Sequence, residues 1–309
     1  MKLIQMKKNN CKISVIGAGK VGSAISYALY RKGFNFLTVI DKNLNKASRL
    51  KNIVKAKNFS DDIKKIGSET TFLLITTPDD VIYSVASQIS KLKNINFENL
   101  IAIQTSGVHS TDSLRPLELK GARVLSFHPI QTLTSKLNKL KIYDSVTNIY
   151  FGVETRKENY SIAKTLAGYL NSKVIFVKKE YKPLYHIACV FASNYIITQL
   201  NAIELLAKKI KMQKVWKHAF KPLINASVTN ALYYTPTEVL TGPIERGDVK
   251  TLQIHIENLK NFAPEFLEFY CASGIETLKI ALKKKSINEN KFSKIKKLFE
   301  QNISVGKKL

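Results

Sequence analysis

The stretch from Lys12 to Asp41 constrains the fold more than any other part of the chain. Lys12 to Ile16 is a short apolar, β-branched run, and it is followed at once by Gly17-Ala18-Gly19-Lys20-Val21-Gly22. Ser23 to Tyr30 then continues as a helical run with small residues on one side. A second apolar run, Phe36 to Ile40, ends at Asp41, nineteen positions after Gly22. Strand, glycine turn, helix, strand and acid at this spacing make the βαβ unit that cradles a dinucleotide. Gly17 permits the tight turn, Gly19 removes a side chain where backbone meets pyrophosphate, and Gly22 lets helix and strand approach. The amides of Ala18, Lys20 and Val21 belong to the same cradle, at a helix N-terminus that favours negative charge. Asp41 suits the ribose hydroxyls of NAD, whereas Lys42 suits the 2′-phosphate of NADP, so both cofactors stay open.

Apolar runs recur at Thr71 to Thr76, Leu100 to Gln104 and Arg123 to Phe127, spaced widely enough for crossover helices such as Asp80 to Lys91. Asn148 to Val153 and Lys173 to Val177 extend the series, with Glu158 to Leu170 as a helix between them. Repeated βαβ units predict an α/β domain with a parallel, doubly wound sheet. From Tyr181 onward the spacing is helical, in Tyr185 to Lys208, Gln213 to Thr229, Asp248 to Leu259, Ala263 to Leu282 and Lys291 to Asn302. The expected organisation is a dinucleotide-binding domain over 1–179 and an all-helical substrate and dimerisation domain over 180–309.

The remaining composition narrows the class. The chain has 309 residues, 45% of them hydrophobic, which is enough apolar surface to offset the entropy of ordering a core. No run approaches the roughly 18 apolar residues of a membrane span, and Met1 to Asn10 holds no secretory leader pattern. Three scattered cysteines, Cys11, Cys189 and Cys271, form no metal-binding spacing and read as reduced, so no metal and a cytoplasmic location are expected. The net charge of +26 invites a nucleic-acid partner, but only six of the 49 basic residues are arginine and the lysines are scattered. That pattern argues against specific nucleic-acid recognition and for a solvated surface whose field draws anions.

Three turns at predicted strand ends should face the cofactor: Thr76-Thr77-Pro78-Asp79, Thr105-Ser106-Gly107-Val108-His109-Ser110, and Ser126-Phe127-His128-Pro129. His128 is a candidate substrate contact or a packed histidine, and Asp79 a candidate helix cap. At helical spacing, Lys182, His186, Ser193 and Asn194 share one side of an otherwise apolar helix, an arrangement that suits a catalytic group better than a binding module. Pro183 fits the first turn of that helix. In the loop Leu240 to Asp248, Arg246 is a candidate carboxylate contact, with an ion pair to Glu245 or Asp248 as the alternative, and Asp248 can cap the next helix.

The segments GAGKVGSA, TTPDD, QTSGVHS, GARVLSFHPIQT, YHIACVFASN and LTGPIERGDV, in this order over about residues 11 to 260, resemble the family that joins a Rossmann-like domain to a DUF2520 domain. That family is similar to pyrroline-5-carboxylate reductase, ketopantoate reductase and the 6-phosphogluconate dehydrogenase superfamily. The resemblance implies an NAD(P)H-dependent oxidoreductase, most sharply a reductase of 2-dehydropantoate, and a homodimer through the helical half. It also implies a lysine on a helix at the active site, here Lys182, with His186 where the superfamily carries an asparagine. Ser193 and Asn194 would then orient the substrate and Arg246 hold its carboxylate. Reduction of a cyclic imine and a non-catalytic nucleotide-sensing or nucleic-acid-binding role are the competing readings.

Overall fold

The computed structural model describes residues 8–134 and 144–306; part of the N-terminal segment read above, 1–7, lies outside them. By internal contacts the chain divides into two units, one up to Ser193 and one from Asn194 on. The sequence expectation put this division at 179 and 180. It falls later because the first turns of the helix after Tyr181 are anchored by Lys182 and Tyr185 to the strands of the first unit.

The first unit is an eight-stranded sheet in the order β3-β2-β1-β4-β5-β6-β7-β8. The strands are β1 (Lys12–Ile16), β2 (Asn35–Ile40), β3 (Asn58–Ser60), β4 (Phe72–Ile75), β5 (Ile101–Gln104), β6 (Arg123–Pro129), β7 (Tyr150–Glu154) and β8 (Lys173–Phe176). Its helices are α1 (Lys20–Arg31), α2 (Leu44–Val54), α3 (Ile82–Ile89), α4 (Arg115–Glu118), α5 (Tyr160–Tyr169) and α6 (Lys182–Val190). Side chains alternate across the sheet as pleating requires. Phe72 and Leu74 join the core under α1, α2 and α5, while Leu73 and Ile75 join the one under α3 and α4. Strand β1, which leads into the glycine turn, lies between β2 and β4, so the chain reverses its winding direction there, the place where open α/β sheets bind ligands.

One strand departs from the parallel expectation. β7 runs antiparallel to β6, with His128 opposite Gly152 and Ser126 opposite Glu154. The chain leaves β6 at Pro129 and enters β7 at Tyr150 on the same edge of the sheet, and no crossover is needed. Parallel pairing resumes between β7 and β8 through α5.

The second unit is helical: α7 (Ile196–Lys209), α8 (Trp216–Tyr233), α9 (Pro236–Val239), α10 (Pro243–Arg246), α11 (Val249–Phe262), α12 (Leu267–Lys283) and α13 (Glu289–Gly306). Its core is small and comes from three helices, with Leu252 and Ile256 of α11, Leu267, Cys271 and Leu278 of α12, and Ile295 and Phe299 of α13. Asp248 caps α11 through Thr251, as its position suggested. The expected single helix Tyr185 to Lys208 is instead α6, a π-helical turn at Phe191–Tyr195, and α7. Among the described residues no helix is long and apolar enough to cross a membrane, and no disulfide joins the three cysteines.

Candidate active site

The glycine turn is built from backbone. Gly17 holds φ at +99°, and a Cβ there would stand 2.6 Å from the carbonyl oxygen of Thr76. The Thr76 hydroxyl donates to the Gly17 carbonyl at 2.6 Å, locking the end of β4 to the turn. A Cβ on Gly22 would meet the Gly17 carbonyl, whereas one on Gly19 would meet nothing within 4 Å. Thus Gly17 and Gly22 are required by packing, and Gly19 faces open space. Asp41 draws the turn toward β2, since one carboxylate oxygen accepts from the Ala18 amide at 2.7 Å and the other from the Asn43 amide at 2.8 Å.

Three features show that these residues fit a dinucleotide. The N-terminus of α1 has no side-chain cap and no acid in its first turn, leaving its positive end for an anion. The Thr77 hydroxyl, at the carboxyl end of β4, is buried without a hydrogen-bond partner among the described residues. Buried polar atoms of this kind need a partner, and a ligand is one. Finally, Lys20 and Lys42 are exposed beside the turn and Pro78 continues it from Thr77. The turn residues Gly17 to Gly22, with Thr76, Thr77 and Asp41, therefore could hold the nucleotide and diphosphate.

A second cluster forms at the same edge, at the ends of β5 and β6. Ser106 donates its hydroxyl to Asp79 at 2.8 Å and accepts from the amides of Val108 and His109. Asp79 is thus a partner of Ser106, and the cap of the short turn that follows is Pro78. Gln104, fully buried at the end of β5, accepts from the Ser106 amide and donates to the His109 carbonyl at 2.8 Å. Beneath this turn lies Lys182. It is only 1% exposed, and its ammonium donates to the Ser106 carbonyl at 3.1 Å and to the Ser126 hydroxyl at 2.5 Å. Burial lowers its pKa to about 8, opposed by the nearby carboxylates of Glu154 and Asp79 and by Cys189. Glu154 is buried opposite Ser126 and accepts from both the amide and the hydroxyl of Thr111.

Helix α6 supplies this cluster with an inverted distribution of polarity. Lys182, Tyr185, His186 and Cys189 fall at three and four spacing on its more buried side, while Leu184, Ile187 and Phe191 are 64%, 51% and 60% exposed. The Tyr185 hydroxyl bonds His128 Nδ1 at 2.7 Å, and the rings of His128 and His186 stand edge to face at 5.9 Å. Desolvation, with the positive charges of Lys182 and His186, lowers the pKa of His128 to about 4, so its imidazole is neutral at ordinary pH. Two glycines make room for this contact. A Cβ on Gly107 would run into the His186 ring, and one on Gly152 into the Tyr185 hydroxyl.

The sequence candidates therefore separate. Lys182, His186, His128, Ser106 and Gly107 meet in the first unit. Ser193 donates its hydroxyl to the Cys189 carbonyl at 2.7 Å, one helical turn back. Asn194 and Arg246 belong to the second unit and are exposed. Neither ion pair suggested for Arg246 forms: Glu245 pairs with Lys284 at 3.1 Å, and Asp248 is engaged with Thr251. Tyr185, Gln104 and Glu154 were not singled out from the sequence. The helical spacing of Tyr185 to Lys182 is the signal that could have found one of them.

The glycine turn at the switch point of a doubly wound sheet defines a Rossmann-like class of protein. Residues 2–129 match the family described as a Rossmann-like domain, and residues 149–277 match the family described as a domain of unknown function, DUF2520. The chain carries these two matches one after the other, as its motifs led one to expect. Among solved structures it is similar to a Bacteroides fragilis protein assigned as an NADP oxidoreductase, at 21% identity and a TM-score of 0.72, with 88% of this chain and all of that one covered. It is also similar to protein TM1727 from Thermotoga maritima, at 18% identity, a TM-score of 0.66, and 88% and 99% coverage. A pyrroline-5-carboxylate reductase from Coxiella burnetii follows at 15% identity and a TM-score of 0.55, with 88% and 99% covered. No curated protein matches the sequence. These likenesses show that the chain shares the fold of those proteins.

Proposed function

We propose that this chain is an NAD(P)H-dependent reductase of a small anionic carbonyl compound, with 2-dehydropantoate, reduced to pantoate, as the foremost substrate. The observation that carries this reading is the buried Lys182 ammonium at the ends of β5 and β6, on the sheet edge that also carries the glycine turn. Bound reduced nicotinamide supplies a hydride to the carbonyl carbon, and the oxygen then needs one proton. With a pKa of about 8, Lys182 holds that proton at neutral pH yet releases it more readily than an exposed lysine. Ser126, which accepts from Lys182, is the hydroxyl through which the proton leaves the buried ammonium. His128, neutral at ordinary pH, and His186 beside it are the side chains that receive the substrate oxygens, and the surrounding lysines attract its carboxylate.

The choice between NAD and NADP turns on Asp41 and Lys42. The carboxylate opposes a 2′-phosphate, while exposed Lys42 attracts one. The proposed assembly is a homodimer through the helical unit. Helix α8 leaves Leu223, Leu232 and Tyr233 at 65%, 82% and 80% exposure, more apolar surface than a helix of a monomer ordinarily shows. A second copy, matching like to like, covers such a face, and light scattering at micromolar concentration reads a mass near twice that of the chain.

The test of function is a panel of 2-oxo acids and cyclic imines assayed for oxidation of NADH and NADPH. Oxidation with 2-dehydropantoate supports the reading. Oxidation with pyrroline-5-carboxylate alone replaces it by imine reduction.

A further inference from the structure

The contact between Tyr185 and His128 assigns a role to a residue that neither the motifs nor the resemblance singled out. We infer that Tyr185 is a positioning residue that fixes His128 as the tautomer carrying its proton on Nε2, so that His128 presents an N–H donor toward the substrate oxygen. The inference rests on the reductase reading for its kinetic consequence only; the tautomer is a property of the protein itself.

Tyr185 bonds Nδ1 of His128 at 2.7 Å, and the opposite ring nitrogen, Nε2, is turned toward the backbone of Gly107 and the ring of His186. Only one proton can lie between the hydroxyl and Nδ1, and its side decides what Nε2 does. The donor and acceptor strengths of the two groups place it on the hydroxyl. A phenol is a stronger donor than acceptor, and the lone-pair nitrogen of a neutral imidazole is the better acceptor of the two, so across the 2.7 Å contact the hydroxyl donates to Nδ1. Burial also holds the phenol protonated, well above the ordinary tyrosine range. With Nδ1 accepting, the single proton of the neutral ring is on Nε2. The groups facing this ring are Tyr185, His186 and the ammonium of Lys182, and the last two oppose a second proton on it.

Gly152 shows how closely this geometry is built. It lies directly opposite His128 in the β6–β7 register, and its missing side chain is the space that the Tyr185 hydroxyl fills. A neutral imidazole oriented in this way polarises a carbonyl by hydrogen bonding without giving up its proton, and the donor is in place before substrate arrives.

The experiment is ¹⁵N NMR of the full-length protein labelled at its five histidines, with His128→Gln identifying the signal of His128. In the wild type at pH 7 the expected pattern is a neutral ring with Nε2 protonated. In Tyr185→Phe the two tautomers mix, and kcat falls about tenfold or more while the KM for the reduced cofactor is unchanged. Gly152→Ala displaces the hydroxyl without removing it and gives the same mixing. A wild-type His128 protonated on Nδ1, or a Tyr185→Phe protein that keeps the Nε2–H pattern, overturns the inference. Both results are read in the absence of substrate, so they are distinct from a failure of the reductase reading.

Discussion

The two halves of the site are made of different material. At β1, β2 and β4 the candidate nucleotide cradle is almost all backbone, with Gly17 fitted against Thr76 and Asp41 clasping the Ala18 amide. At β5, β6 and α6 the cluster is almost all side chain, with Lys182, Ser126, Tyr185 and His128 joined across 56 or 57 positions of sequence. Backbone geometry tolerates almost no substitution because the turn and the fold are the same object. Side-chain geometry separates chemistry from folding, and the variants below exploit that difference.

The largest expected effect is at the side-chain end. Lys182→Met retains volume and removes a buried charge, so kcat falls about 1,000-fold while thermal stability holds or rises. Parallel melting curves and turnover assays check this, and loss of the fold would erase the distinction. Next is Gly17→Ala at the backbone end. Its Cβ meets Thr76 at a positive φ, so the fold loses about 2–4 kcal/mol and cofactor affinity drops with it, as denaturant titration and cofactor fluorescence would report.

The third prediction concerns pH. The pKa of Lys182 is lowered in the folded protein to about 8 from its usual 10.5, so between those values the unfolded chain binds more protons. Stability of the wild type relative to Lys182→Met therefore rises as pH increases from 8 to 10, by at most about 3 kcal/mol. Urea melts at both pH values check the sign. The smallest effect is at Asp41. Asp41→Ser removes a carboxylate that opposes a 2′-phosphate and shifts the NADPH to NADH preference about tenfold toward NADPH, read from the ratio of kcat/KM values.

The same contrast explains what the sequence disclosed. The cradle was legible because Gly17, Gly19, Gly22 and Asp41 are close in sequence and each position has one physical reason. The cluster was legible in its members Lys182, His186 and His128, which sit at strand ends or on a helical stripe. It was not legible in Tyr185, Gln104 or Glu154, whose roles depend on which strands become neighbours. The antiparallel turn of β7 is the clearest case, since it is what places Gly152 and Glu154 beside β6. The stripe also crosses a change in the helix. It included Ser193, whose hydroxyl serves the Cys189 carbonyl, and Asn194, which belongs to the other unit; a π-helical turn at Phe191–Tyr195 interrupts the regular rotation the stripe assumed.

The central claim is that the cradle and the Lys182 cluster act together in one reduction. It is tested most directly by following oxidation of NADH and NADPH with 2-dehydropantoate for the wild type beside Lys182→Met, with cofactor binding measured on both proteins. The account predicts that both proteins bind the cofactor and only the wild type oxidises it. Equal oxidation by both proteins, or binding by the wild type with no oxidation by any 2-oxo acid or imine, contradicts it.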